Sequence, residues 1–127
     1  MDGDDDPVAR YNHPRWWIER LRRTWELCDI ARLEHFRGFS AYWAVPADAE
    51  DARAGQWQPG PGMALFTAIR RALGDRPLIA EDLGDIDEAA RGLRRDSGLP
   101  GMLVLQFAFG GPSEHPFLPH NHTPHAV

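Results

Sequence analysis

The strongest constraint on the fold of this sequence is a local design that occurs twice. A short apolar run ends in a carboxylate and a Gly-containing turn, and an amphipathic helix pattern follows further on. Asp29-Ile-Ala-Arg-Leu-Glu-His-Phe-Arg-Gly38 is one instance and Pro77-Leu-Ile-Ala-Glu-Asp-Leu-Gly84 the other. Pro14 opens a helix pattern in which Trp17, Leu21, Trp25 and Cys28 share a face with Ile18, while Arg15, Glu19, Arg22 and Arg23 fill the other. Met63, Phe66, Ile69, Arg70 and Leu73 mark a second helix that Gly74 can stop, and Asp87 can N-cap a third that ends at Gly98. Strands are expected around Leu27 to Leu33, at Leu78-Ile-Ala80, and from Met102 to Phe109, the last apolar on both faces like a buried parallel strand. Residues 47–62, rich in Ala, Asp, Gly and Pro, read as a long loop, and so does everything after Gly110.

The resulting order is helix, strand, loop, helix, strand, helix, strand, and such alternation favours parallel β/α construction. Three strands cannot close a barrel, which needs eight. Alone they would leave apolar sheet edges unpaired. The expected fold is therefore α/β, about three consecutive βα units of a larger barrel with strands wanting on both sides. Residues 1–10, with Asp2, Asp4, Asp5 and Asp6, read as an acidic, disordered start, and 11–127 as the partial barrel.

Composition removes other classes. Fourteen Lys and Arg against 19 Asp and Glu give a net charge of -5, which offers no basic field for nucleic acid. No apolar run reaches membrane-spanning length and no secretory leader is evident, so a cytoplasmic location is expected. The single Cys28 excludes an internal disulfide; its apolar context predicts a buried structural thiol rather than a nucleophile. His115, His120, His122 and His125 crowd the end of the chain but lack the helical spacing of a His-Glu-x-x-His site, so no metal is assigned to them.

The carboxylates carry the chemistry. Glu81 follows the second strand, where partial desolvation would favour the protonated form that a general acid needs. Glu34 ends the strand before it, one βα step earlier. Retaining glycosidases use two carboxyl groups about 5–5.5 Å apart, and neighbouring barrel strands can supply such a pair. Arg32, two residues before Glu34, points to the same side of an extended strand and could keep that carboxylate ionised. Each residue also has a plainer explanation: a solvated glutamate, an ordinary Arg32–Glu34 ion pair, or Asp82 and Asp85 capping a turn.

Longer motifs decide between these. Asp29-Ile-Ala-Arg-Leu-Glu-His-Phe-Arg-Gly-Phe-Ser-Ala-Tyr-Trp-Ala-Val-Pro46 resembles a signature of the 4-alpha-glucanotransferases (amylomaltases). Gly55-Gln-Trp-Gln-Pro-Gly-Pro-Gly62, Ile79-Ala-Glu-Asp-Leu-Gly84, Pro100-Gly-Met-Leu-Val-Leu-Gln-Phe-Ala-Phe109 and Pro119-His-Asn121 resemble that family too, in one order from Tyr11 onward. The resemblance implies a (β/α)8 TIM barrel of the α-amylase kind and no cofactor or catalytic metal. The implied partners are α-1,4-glucans and maltooligosaccharides, passed between acceptors through a covalent glycosyl-enzyme. It places Glu81 as general acid/base, Glu34 at the nucleophile position and Arg32 in support of it. Phe107 falls at an aromatic contact on the acceptor side, with His35 and Asp82 next to the catalytic groups and His120 and Asn121 in the family's Pro-His-Asn loop. Trp57 is the better candidate for stacking on glucose, whereas Trp16, Trp17, Trp25 and Trp43 are expected in the packing.

Two departures from the family pattern stand out. The family has Asp at the nucleophile position, in Arg-Ile-Asp-His-Phe-Arg, where this chain reads Arg32-Leu-Glu34-His-Phe-Arg37. The family's third carboxylate lies in a Thr-His-Asp motif beyond the Pro-His-Asn region, past Val127. Impaired or absent activity of these 127 residues alone is therefore expected, with a non-catalytic barrel remnant that binds glucan weakly as the alternative.

Overall fold

The computed structural model describes residues 12–127, so the acidic start and Tyr11 lie outside the described residues. Helix α1 spans Pro14–Leu27, with Pro14 in its first turn and His13 as N-cap, the His13 Nδ1 accepting the Arg15 N–H at 3.2 Å. It buries Leu21 and packs Trp17, Ile18 and Trp25 against the core. The helix runs on where a strand was expected to begin, and strand β1 is short, Ala31–Leu33. Cys28, expected buried, is exposed at the C-cap, its thiol donating to the Thr24 carbonyl at 3.3 Å. The chain leaves the helix there and turns the side chain off the packed face.

The stretch expected to be one long loop, 47–62, instead supplies the second strand of an antiparallel hairpin whose first strand precedes it. Strand β2, Ala41–Ala44, pairs with β3, Gln56–Pro59, with Trp43 opposite Trp57. Trp43 is not core: it is 43% exposed and meets the Trp57 ring edge-to-face at 5.4 Å. Its indole N–H donates to the Ala52 carbonyl at 2.7 Å, and the space beside it suits Gly55 alone, since a Cβ there would overlap the indole.

Helix α2, Gly62–Leu73, buries Leu65, Phe66 and Ile69 and stops at Gly74, whose φ of 77° a side chain would resist. Strand β4, Leu78–Ala80, returns parallel to β1, with Ala31, Arg32 and Leu33 opposite Leu78, Ile79 and Ala80. Helix α3, Glu88–Ser97, is capped by Asp87 through the Ala90 N–H at 2.8 Å and ends at Gly98 in the left-handed conformation. Ala31, Leu33, Leu78 and Ala80 face the helices, where they join Leu21, Phe36, Phe39, Leu65, Phe66, Ile69, Leu93 and Leu99 in one buried cluster. Strand alternation then turns Arg32 and Ile79 to the opposite face.

The third strand expected at 102–109 does not form. Pro100 takes the strand position beside β4, accepting the Ala80 N–H at 2.9 Å, and Gly101 pairs in parallel with Ala126. Leu103 donates to Val127 at 2.7 Å. The Met102 N–H, however, goes to Asp82 Oδ1 at 2.9 Å, and residues Leu105–Ala108 coil into a 3-10 turn. The ladder is spent after Leu103, and Leu105, Phe107 and Phe109 end up exposed.

Candidate active site

The uncovered face of the β1–β4 pair carries the charged residues singled out in the sequence. Arg32 leaves β1 toward that face, and its Nε lies 3.0 Å from Glu34 Oε2, the ion pair being about half exposed on the arginine side and more so on the glutamate. The expectation that both point to one side of the strand is met directly. Glu81 continues β4, its N–H donating to the Leu33 carbonyl at 2.9 Å and its carbonyl accepting from Phe36 at 3.0 Å. The ladder thus carries on through the Leu33 carbonyl and then skips His35, which bulges out of register and leaves its N–H pointing at the Glu81 side chain.

The Glu81 carboxylate is held on both oxygens. Oε2 accepts the His35 N–H at 2.8 Å and Oε1 accepts the Leu83 N–H at 2.9 Å. Two backbone donors restrain the side chain between the end of β1 and its own following loop. The His35 donor reaches it because His35 sits at φ 53°, ψ 52°, the one positive φ outside glycine among the described residues. A Gly at position 38 accompanies this turn, its α-carbon close enough that an added Cβ would meet the His35 ring at 3.2 Å. A cleft of about 330 Å³ opens beside it, lined by Trp17, Glu34, His35, Phe39, Tyr42 and Pro61 among others.

The remaining expected site residues are placed unevenly. Asp82 is engaged by its own chain: Oδ2 lies 3.0 Å from Arg94 Nε in a largely shielded ion pair, and Oδ1 takes the Met102 N–H. A Cβ at Gly101 would overlap that carboxylate, so Gly101 is the residue that lets Asp82 in. Trp57 is 55% exposed on the hairpin and Phe107 62% exposed on the 3-10 turn, where it lies 6.5 Å from Phe117. His120 and Asn121 both donate to the Ser113 carbonyl at 2.8 Å, and Asn121 donates also to His115 at 3.0 Å, so they brace the 113–121 loop. His122 and His125 likewise donate to main-chain carbonyls, of Phe117 and Gly98. Among the described residues no group of three or more His, Cys, Asp or Glu side chains comes together as a metal site.

Sequence reasoning missed Arg37. Its guanidinium donates to the Asp85 carbonyl at 2.6 Å, reaches Asp87 Oδ2 at 3.2 Å, and lies 4.7 Å from the centre of the Trp57 ring. The signal available in the sequence was its place one turn beyond Glu34, in the same charged run.

Residues 8–127 match the family model described as 4-alpha-glucanotransferase. The chain belongs to the 4-alpha-glucanotransferase family. Over 112 residues it is 51% identical to the chloroplastic/amyloplastic 4-alpha-glucanotransferase of Arabidopsis thaliana, covering 88% of this chain and 19% of that one. The Thermus thermophilus 4-alpha-glucanotransferase is 49% identical over 110 residues, 87% of this chain and 22% of that protein. A solved amylomaltase from Streptococcus agalactiae in complex with acarbose superposes with a TM-score of 0.78 at 44% identity, over 87% of this chain and 23% of its own. The chain thus spans about a fifth of the length of these relatives. The fold is a partial α/β barrel of the 4-alpha-glucanotransferase kind. No helix among the described residues is long and apolar enough to cross a membrane.

Proposed function

We propose that the chain carries the nucleophile and acid/base segments of a retaining 4-alpha-glucanotransferase. One observation carries this reading: Glu81, at the end of β4, has its carboxylate clasped to the Glu34–His35 peptide at the end of β1. Two carboxyl-bearing strand ends are thereby locked side by side on one open face, the minimum for a double displacement at an anomeric carbon. Glu34 attacks the anomeric carbon while Glu81 protonates the departing glycosidic oxygen. Glu81 then takes the proton from the 4-hydroxyl of an acceptor glucan, which displaces Glu34. Arg32 pairs with Glu34 and steadies its carboxylate. His35 lies beside the reacting pair, and Asp82 anchors the end of the Glu81 strand through Arg94 and Met102. Trp57 and Phe107 offer exposed rings to sugars, and His120 and Asn121 shape the far loop.

The substrates are α-1,4-glucans and maltooligosaccharides, of the starch type where such glucans are available. The lone cysteine suits a reducing compartment such as the cytoplasm. Glu34 is one methylene longer than the family's aspartate, and misplacement on the order of 1 Å costs about 10²-fold. We therefore take transfer by these 127 residues alone as weak or nil. The second reading, a binding remnant, draws on the exposure of Trp57 and Phe107. Incubation with maltotriose separates the two: glucose together with longer maltooligosaccharides, lost in Glu81→Gln, supports the transferase. Absence of products from a folded chain that still binds the sugar supports the remnant.

A further inference from the structure

Between the hairpin that carries Trp57 and the loop that follows Glu81, the described side chains provide one polar bridge, and it is Arg37. The β2–β3 hairpin is a sheet of its own and no part of the β1–β4 ladder. Residues 82–87 have no regular structure of their own before α3 begins at Glu88. Arg37 lies in the 3-10 turn Phe36–Phe39, whose two phenylalanines are buried, so its backbone is fixed by the core. From there the guanidinium holds the Asp85 carbonyl and the Asp87 carboxylate on one side and lies against the Trp57 ring on the other. Asp87 in turn caps α3 with its second oxygen. The Arg37 side chain is 17% exposed, so its guanidinium is held by its neighbours even though Asp87 is open to solvent.

We propose that Arg37 is a positioning residue that ties the Trp57 platform to the Glu81 loop, so that sugar-stacking surface and acid/base carboxylate are held at a fixed offset. This rests on the roles given above to Trp57 and Glu81. The chemistry favours arginine specifically. A planar fork can donate to two oxygens in its plane while presenting a face to an indole, whereas an ammonium is a point charge that cannot do both. Holding Asp85 also restrains Leu83, whose N–H is one of the two donors on the Glu81 carboxylate. Loss of Arg37 would thus be felt at Glu81 through the loop, without any direct contact between them.

The test is amide and indole NMR on the whole chain. In Arg37→Lys, the Trp57 indole N–H resonance moves and the Leu83 amide exchanges at least about threefold faster. The Trp25 indole, which donates to the Pro77 carbonyl at 3.2 Å on the helical side, serves as the control and stays unchanged. Trp57→Leu approaches the bridge from its exposed end, where folding is least at risk, and should also speed Leu83 exchange. Unchanged Leu83 exchange in Trp57→Leu overturns the proposal, as does an equal change at Trp25, which would mean general loosening. Titration of the parent chain with acarbose reads the functional reading separately. If the Trp57 indole does not respond to the sugar, the platform role fails, while the exchange coupling still decides the bridge.

Discussion

His35 donates its main-chain N–H to Glu81 Oε2 at 2.8 Å, and it does so from a left-handed backbone conformation that a residue with a Cβ adopts at a cost. Strain at one strand end is thus converted into orientation at the next. The same peptide joins His35 to Glu34, so one turn governs both carboxylates.

Replacement of His35 separates backbone from side chain. His35→Gly removes a cost of roughly 1–2 kcal/mol for the left-handed conformation and adds about 0.5–1 kcal/mol of chain entropy. Its stability should be unchanged or raised by up to about 1.5 kcal/mol. His35→Val, β-branched and least tolerant of positive φ, should lose more than about 1 kcal/mol. Urea denaturation of the two variants gives the order, and a Val variant as stable as the Gly variant would contradict the account.

Glu81→Gln replaces a carboxylate that accepts two N–H groups with an amide that can accept at one atom. The NH₂ group must then face either the His35 or the Leu83 N–H, and because the His35 bond is exposed the loss is that of one ordinary hydrogen bond, roughly 0.5–1.5 kcal/mol. The variant should lose stability by that order as well as lose any transfer. Thermal denaturation would show it, and a fully stable Gln variant would mean that the two bonds do not hold the side chain.

Glu34→Asp is expected to do the opposite of a knock-out. The Arg32–Glu34 pair is exposed and contributes about 0–1 kcal/mol, so shortening the side chain should leave stability nearly untouched. Restoring the family's aspartate should raise maltotriose disproportionation by on the order of 10²-fold wherever the chain has measurable activity. Product analysis by chromatography would register the rise. An unaltered rate would place the limit elsewhere.

Much of this arrangement was legible in the sequence because local signals agreed with tertiary ones. Asp87 caps α3 and Gly98 and Gly74 end their helices at the expected positions, since cap chemistry acts over three or four residues. The alternation Ala31, Arg32, Leu33 put Arg32 with Glu34, as period-two geometry requires. What failed was decided at longer range. Met102–Phe109 is apolar enough for a strand, but nothing local reveals that Asp82, twenty residues back, takes the Met102 N–H. The hairpin was hidden because the residues between its strands dominate the composition of 47–62. Trp43 and Trp57, both aromatic and placed opposite each other, were the overlooked sign. Arg37 was passed over because its partners, Trp57, Asp85 and Asp87, lie 20 to 50 positions further along.

The Asp82–Gly101 contact gives the sharpest prediction about the fold. A methyl at position 101 would overlap the Asp82 carboxylate, which is bonded to Met102 and paired with Arg94. Gly101→Ala must either expel that carboxylate, which leaves Arg94 without its ion-pair partner, or move the strand position at Pro100–Leu103. Loss of one partner of a shielded pair costs about 3–5 kcal/mol, and here partial solvent access should hold it to the lower end. Asp82→Ala removes the same carboxylate by another route, so the double variant should be little worse than either single one. Chemical denaturation of all four proteins closes the cycle. If the two losses simply add, the carboxylate and the glycine act independently, and the third strand position is held by something other than Asp82.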